Sequence, residues 1–237
     1  MRIQTFESVV AEARESERNT YLRRTLGWTM GGLGISAITG VMSAGVLAVV
    51  PGMLTGYLPM LLILGCWAIT NFVARPMVFG QNKVLGFVLG TATQGVAMGF
   101  LLLVAAILGK VSLGNPLAFI GLAGGLTAFA ALGMAAYCWM APRDFSMIGA
   151  GLSALSIPML ILMAVSFAFP GILGGGVGLM LSGLFVLVSV GSLLYQLNMV
   201  MHRFTVSMHM EGAYTLTIGI LVLFWNILSL LMRSSRR

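Results

Sequence analysis

Seven long apolar runs constrain this chain more than any other feature of its sequence. Each is long enough to cross about 30 Å of hydrocarbon as a helix that rises about 1.5 Å per residue. Lipid offers no hydrogen bonds to the backbone, so only helices and closed barrels span it. The short alternating segments typical of a barrel are absent from the sequence. We therefore predict an all-α polytopic membrane protein, a seven-helix bundle with spans at about 26–50, 53–73, 84–109, 116–140, 146–169, 176–200 and 212–232.

Composition supports a bilayer as the solvent of this chain. The 237 residues are 59% hydrophobic and only 8% charged, with a mean hydropathy of +1.01, whereas soluble domains carry about 25% charged residues. The net charge is +7, but no run of basic residues is interleaved with aromatic residues. This argues against nucleic-acid binding and favours contacts with anionic lipid headgroups. Short connections between the runs predict one compact bundle over residues 25–237, with the lipid bilayer as its main partner.

The first 24 residues differ in kind from the rest of the chain. They place Phe6, Val9, Val10 and Ala13 on one helical side and mix charges on the other. We predict a cytoplasmic amphipathic segment over residues 1–24 that rests on the bundle or the headgroups. A partner-binding role is the alternative. The segment does not resemble a cleavable signal peptide.

The distribution of Lys and Arg predicts a cytoplasmic N-terminus in a plasma membrane or a bacterial inner membrane. Lys110 is then the only basic residue on the outer connections. Arg233, Arg236 and Arg237 disagree, because seven spans place them outside; either the tail is an exception or one segment is re-entrant. We favour seven spans. The inner basic residues would be Arg14, Arg18, Arg23, Arg24, Arg75, Lys83, Arg143 and Arg203.

Small residues recur every fourth position in three spans, which lets helix backbones approach closely in a membrane. We predict tight helix packing along these stripes. They are Gly32, Ser36, Gly40 and Ala44 in the first span, Gly86 and Gly90 in the third, and Gly121 and Gly125 in the fourth.

Catalytic and metal-binding patterns are missing from the sequence. His202 and His209 are seven residues apart with Glu211 nearby, a spacing and ligand count that do not suit zinc on a helix. Cys66 and Cys138 lie inside apolar runs, where buried structural thiols are the usual interpretation. We predict neither an enzyme nor a bound cofactor or metal.

Amides inside the spans are the remaining candidates for function, namely Gln94, Gln196, Asn198 and Asn226. Each must find a partner, because hydrocarbon provides none. Hydrogen bonding between helices is one interpretation and a transport role is the other. Ionisable residues deep in the membrane would favour transport, but the sequence places none clearly at mid-span.

Asp144, in the stretch APRDFS, is the only acidic residue between Glu17 and Glu211. It lies just before an apolar run, where its carboxylate can accept hydrogen bonds from the free N–H groups of a helix N-terminus. Arg143 is predicted at the headgroups beside it. A place at the cytoplasmic mouth of a pore, together with Glu211, is the alternative for both residues.

Four stretches together resemble the Bax inhibitor-1 family of membrane proteins. They are YLRRTLGWTMGGLGISAITG at 21–40, AAYCWMAPRDFSMIGAGL at 135–152, SLLYQLNMVMHRF at 192–204 and EGAYTLTIGILVLFWNILSLLMR at 211–233. The resemblance implies seven helices, with a hydrophobic C-terminal helix at the centre of the other six. It also implies a pH-sensitive calcium leak controlled by aspartates on the sixth and seventh helices.

This chain departs from the family pattern at both aspartates. The sixth-helix aspartate follows a tyrosine, and here Gln196 follows Tyr195; the seventh-helix aspartate precedes an Asn by three residues, which gives Leu223. A glutamine does not titrate near neutral pH and binds calcium weakly, because hard cations prefer charged oxygens.

Two hypotheses therefore remain open from the sequence. The first is an ion leak pathway for calcium or protons, with Gln196, Asn198, Asn226, Leu223 and Gln94 as gate or interhelical polar contacts. The second is a non-conducting bundle that associates with another membrane protein complex and regulates or stabilises it. A secondary transporter is less favoured, because paired broken helices and an inverted repeat are not evident.

Overall fold

A computed structural model describes residues 9–50, 52, 57–140 and 175–235. Six helices in these residues are long and apolar enough to cross a membrane. The described residues form no β-strand, only one isolated bridge between Val9 and Thr205. The helices are α1 (Glu15–Val49), α2 (Leu58–Val78), α3 (Lys83–Leu113), α4 (Ala118–Met140), α5 (Gly175–His202) and α6 (His209–Ser234).

The all-helical membrane class predicted from the sequence is confirmed, and six of the seven predicted spans coincide with these helices. The fifth predicted span, 146–169, lies outside the described residues, so the count of seven stays a prediction. Helices α5 and α6 are the predicted sixth and seventh spans. Most helices begin before or end after the predicted apolar runs, because a membrane helix can continue into polar residues at the headgroup level.

Helix α1 begins well before the first apolar run. Glu15 is its first residue, so residues 15–24 of the predicted N-terminal segment continue directly into the first span. Glu15 and Glu17 lie in the first turn, where carboxylates interact favourably with the helix dipole. Because neither Gly nor Pro interrupts residues 15–26, the helix has no local reason to break at the membrane edge.

The residues before α1 pack against the connection between α5 and α6. The backbone N–H of Val10 donates to the Phe204 carbonyl at 3.1 Å, and that of Ala11 donates to the Met201 carbonyl at 3.0 Å. The Val10 side chain is fully buried. The apolar side of this segment therefore contacts the bundle, at the end where α1, α3 and α6 begin.

Helix α2 contains a π-helical turn at Ile69–Ala74, followed by Arg75–Val78. Pro76 lacks the N–H that an α-helix would direct to the carbonyl four residues earlier, and its ring would crowd that carbonyl. The wider turn accommodates this mismatch. It also directs the Thr70 carbonyl toward α6, where the Tyr214 hydroxyl donates to it at 3.0 Å.

Helices α1 and α3 pack closely through small residues. The Ser36 hydroxyl donates to the Thr91 carbonyl at 2.7 Å, and the Ser43 hydroxyl donates to the Val96 carbonyl at 3.0 Å. A Cβ on Gly95 would overlap the Ser36 carbonyl oxygen, and one on Gly32 would come within 2.7 Å of the Phe87 ring. Backbone proximity thus replaces the hydrophobic driving force that lipid does not supply.

The predicted stripes have different outcomes. Gly32, Ser36 and Gly40 face α3, and Gly90 receives the Tyr214 ring. Gly121 and Gly125 have no described atom within 4 Å of a built Cβ, so this stripe does not mediate packing among the described helices.

Helix α6 is the most buried of the six. It contacts all five other described helices, including the C-terminal turn of α2. Fully or nearly fully buried side chains occur on several sides of it, among them Ala213, Leu223 and Leu228. Polar groups on the buried sides of α6 are therefore placed inside the protein.

The close approach of α1 and α3 makes a specific prediction for Gly95→Ala. The added methyl group overlaps the Ser36 backbone, which cannot rotate away, so we expect a loss of about 1–3 kcal/mol in unfolding free energy. Thermal unfolding of the purified protein in detergent measures this loss. Gly31→Ala is the matched control, because Gly31 is exposed on α1 with no described atom within 4 Å. Equal stability of the two variants would contradict this packing.

Candidate functional site

Helices α5 and α6 meet along a line of neutral polar side chains. We call this line the α5–α6 seam and define it as Ser189, Ser192, Gln196, Gly219, Leu223 and Asn226. On α5 the polar residues are spaced by three and four positions, which places them on one face of the helix. That face is directed at α6, as the following contacts show.

Asn226 provides the polar contact at one end of the seam. Its side-chain amide donates to the Ser189 hydroxyl at 2.6 Å across the two helices, and to the Val222 carbonyl at 3.0 Å within α6. Ser189 also donates to the Phe185 carbonyl at 2.7 Å. The Asn226 amide nitrogen and the Ser189 hydroxyl therefore bond to protein groups, as hydrocarbon surroundings require.

Gln196 provides the polar contact two helical turns away. Its carbonyl oxygen lies against Gly219 of α6, where the missing Cβ makes room for it. Its amide nitrogen donates to the Ser192 hydroxyl at a long 3.4 Å. The Gln196 carbonyl oxygen is buried and has no hydrogen-bond partner in the described part of the chain. This end of the seam thus contains an unsatisfied acceptor.

Leu223 lies between these two contacts and is fully buried. Seven residues separate Ser189 from Gln196 on α5, and seven separate Gly219 from Asn226 on α6. In an antiparallel pair this spacing places Leu223 near the level of Ser192. Gln196 and Leu223 are consequently about one helical turn apart along the seam. The seam is closed by an apolar side chain with an amide on either side.

The other predicted residues are outside the six that define the seam. Asn198 is buried on α5, and Gln94 is half-buried on α3. Asp144 and Arg143, predicted at the cytoplasmic mouth, lie outside the described residues.

Glu211 is the buried acid of the described chain, and sequence reasoning did not identify its partner. It lies in the first turn of α6, is 3% exposed, and forms an ion pair of 2.6 Å with Lys83 at the start of α3. Both residues were predicted on inner connections. The sequence indicated only that both residues lie on the same side of the membrane, and seven other basic residues were predicted on that side too.

The carboxylate of Glu211 is only half satisfied by this pair. Lys83 contacts Oε1, whereas Oε2 is buried without a hydrogen-bond partner among the described residues. Lys83 itself remains 40% exposed. The pair therefore combines a fixed, buried anion with a cation that reaches it from the solvent side.

Tyr21 of α1 lies beside the same turn of α6. Its hydroxyl oxygen would be 2.6 Å from a Cβ on Gly212, so only glycine allows this approach. The phenol is 1% exposed and lies within electrostatic range of Glu211. Thr25, one turn along α1, donates to the His209 carbonyl at 3.4 Å. Oxygen atoms from α1 and α6 thus gather around residues 209–212.

Histidine and cysteine do not form a metal centre in the part of the chain that the structure describes. No group of three or more His, Cys, Asp or Glu side chains is close enough there to hold a metal ion. Cys66 and Cys138 are buried free thiols, which agrees with the structural interpretation of both residues.

A protein-family model described as Inhibitor of apoptosis-promoting Bax1 matches residues 18–236. The match covers nearly the whole chain, including the stretches whose resemblance was noted from the sequence. The chain belongs to the Bax inhibitor-1 family. A search of curated proteins gave no match.

Family membership agrees with the multi-pass membrane architecture, and members of this family are generally not enzymes. The residues that define the α5–α6 seam include no ionisable side chain. Among the described residues of this Bax inhibitor-1 family member, the buried carboxylate lies at the start of α6.

The contact between Asn226 and Ser189 generates a prediction for a double-mutant cycle. We expect Asn226→Leu and Ser189→Ala to be coupled by about 0.6 kcal/mol, with an upper value of about 1.7, as for other interhelical hydrogen bonds in membranes. The measurement is the unfolding free energy of the native protein, the two single variants and the double variant in mixed detergent.

Asn71→Leu is the matched control for this cycle. Asn71 donates to the Trp67 carbonyl at 2.9 Å within its own helix, as Asn226 does to Val222, and has no described interhelical bond. Coupling between Asn71→Leu and Ser189→Ala should be zero. Equal coupling in the two cycles would remove the seam as a specific contact.

Proposed function

We propose that this Bax inhibitor-1 family protein is a leak pathway for protons or small monovalent cations, and that the pathway is closed when α5 and α6 are in contact. The supporting observation is the α5–α6 seam, a line of neutral polar groups through an apolar bundle that contains a buried, unsatisfied amide oxygen at Gln196. In a membrane such a group is costly unless it contacts protein, water or a permeating ion. Separation of α5 from α6 would open this line.

Calcium is not the expected permeant ion of such a pathway. Ca²⁺ requires six to eight oxygen ligands and usually several carboxylates, whereas the seam offers hydroxyl and amide groups only. A fully buried Leu223 lies at the level where the family pattern places an acid. A monovalent cation loses less hydration free energy than Ca²⁺ does when it exchanges water for these neutral oxygens.

The proposal includes the complete architecture expected of the family. In this proposal residues 146–169 are the fifth of seven spans, and α6 is the seventh span and the central one. The contacts of α6 with five other helices support this arrangement. The end that contains Arg14, Arg18, Arg23 and Arg24 would face the cytoplasm, because basic residues are retained on that side. The membrane would be a plasma membrane or a bacterial inner membrane.

A second candidate function is a non-conducting bundle that associates with another membrane protein complex. The absence of acids from the described seam favours it, because the activity implied by the family pattern depends on two carboxylates that share a proton. In this case the seam amides serve packing alone.

The two functions are separated by flux measurements on the purified protein in vesicles loaded with sodium-, proton- or calcium-sensitive dyes. We expect the native protein to leak protons or sodium faster than protein-free vesicles, and to leak calcium no faster. Gln196→Leu should reduce this leak, because it removes the unsatisfied polar group. Asn71→Leu, which removes an amide outside the seam, should leave the leak unchanged.

Gln196→Asp combined with Leu223→Asp tests the role of the missing carboxylates. This variant should leak calcium, and the leak should change between pH 6 and 8, where a buried carboxylate pair can titrate because its pKa is raised. If the native protein conducts none of these ions and purifies from native membranes within a larger assembly, the second function holds.

A further inference from the structure

Glu211 combines four features that the proposed leak pathway does not explain. Its carboxylate is 3% exposed, one oxygen has no partner among the described residues, its cationic partner is 40% exposed, and the buried Tyr21 hydroxyl, also without a partner there, approaches the next residue, Gly212. Burying a polar atom without a partner costs free energy. Two such atoms around one turn of α6 indicate a ligand that both can bind.

The oxygen atoms around this turn come from two helices. Oε2 belongs to the charged Glu211 carboxylate, and the Tyr21 hydroxyl lies against Gly212. The Thr25 hydroxyl donates to the His209 carbonyl. Each retains a free lone pair that can bind a cation. The carboxylate lies at the N-terminus of α6, where the helix dipole interacts favourably with negative charge.

We propose that Oε2 of Glu211, the Tyr21 hydroxyl and the Thr25 hydroxyl bind a small monovalent cation, for which the Lys83 ammonium is a tethered competitor. The charge of the cation follows from the single carboxylate. A divalent ion would leave a net buried charge of about +1, which is strongly unfavourable. The same argument applies to a monovalent ion bound beside Lys83, so the ion binds when Lys83 moves into solvent.

The proposed route to this position is on the solvent side of Tyr21. A surface cavity of about 250 Å³ is lined by Tyr21, Glu17, Arg24 and three neighbouring residues. Glu17 brings a negative charge to its entrance, whereas Arg24 opposes cations there. Lys83 is at the N-terminus of α3, where the helix dipole disfavours its charge. The helix dipoles therefore stabilise the charge of Glu211 in this pair but not that of Lys83.

The site is defined by binding and does not depend on conduction through the α5–α6 seam. Its test uses the full-length protein in nanodiscs of zwitterionic lipid, with Na⁺ titrated against choline at constant ionic strength. Binding is measured with radioactive sodium, and the midpoint of thermal unfolding is measured in parallel. We expect saturable binding of Na⁺ that K⁺ displaces, and no comparable effect of Ca²⁺.

Variants at the pair give the decisive comparison. Lys83→Gln should bind Na⁺ about fivefold to tenfold more tightly, because a partly exposed ion pair no longer reduces the fraction of open sites. Glu211→Gln should lose saturable binding, whereas Glu15→Gln, an exposed acid at the same end, should bind as the native protein does. Lys110→Gln at the other end of the bundle is the control for Lys83→Gln.

The outcomes that would overturn the site are definite. Absence of saturable Na⁺ binding by Lys83→Gln would show that water alone occupies the position. Unchanged binding by Glu211→Gln would place the ion elsewhere. If Glu211→Gln does not fold, Tyr21→Phe replaces it: this variant should weaken Na⁺ binding at least about fivefold, as expected for one lost ligand, while Tyr57→Phe, which alters an exposed phenol, should not. Equal affinity of the two phenylalanine variants would overturn the proposal.

Discussion

Hydrocarbon provides no hydrogen bonds, so a polar group that this protein buries is costly unless the protein, water or a ligand satisfies it. The rest of the structure follows from this constraint. Hydroxyl groups in the helices donate to carbonyls of their own helix or of a neighbour, as Ser36 does to Thr91. Glycines bring those neighbours close enough for such bonds to form. Packing and hydrogen bonding are thus two consequences of one requirement.

The same constraint explains the importance of α6. Since this helix contacts every other described helix, its buried polar side chains can find partners on several of them. Tyr214 uses a carbonyl made available by the π-helical turn of α2. Asn226 uses a hydroxyl on α5, and Glu211 uses the ammonium group of α3. Polar residues of α6 therefore specify which helix lies beside which, while apolar contacts alone would not.

Sequence reasoning recovered the membrane class and six helices, because these depend on local properties such as apolar length. Gln196 and Asn226 were singled out from the sequence as polar residues within spans, and the structure places both at the α5–α6 contact. Lys83 could not be assigned to Glu211, because the pairing depends on how α3 and α6 are arranged in three dimensions. The π-helical turn was also missed, although Pro76 gave a local signal of a break in regular helix.

The position of the buried carboxylate has a physical consequence for how such a protein can be controlled. At mid-membrane, a lone carboxylate would be strongly disfavoured, and it would require a second charge within the pathway itself. At the start of α6 it is stabilised by the helix dipole and by a cation that reaches it from solvent. An event at Glu211 can therefore act on the end of α6 without placing charge in the α5–α6 seam. Because α6 is one continuous helix from His209 to Ser234, displacement of its first turn is transmitted directly to Gly219 and Leu223. Control and pathway can be separate sites on the same helix.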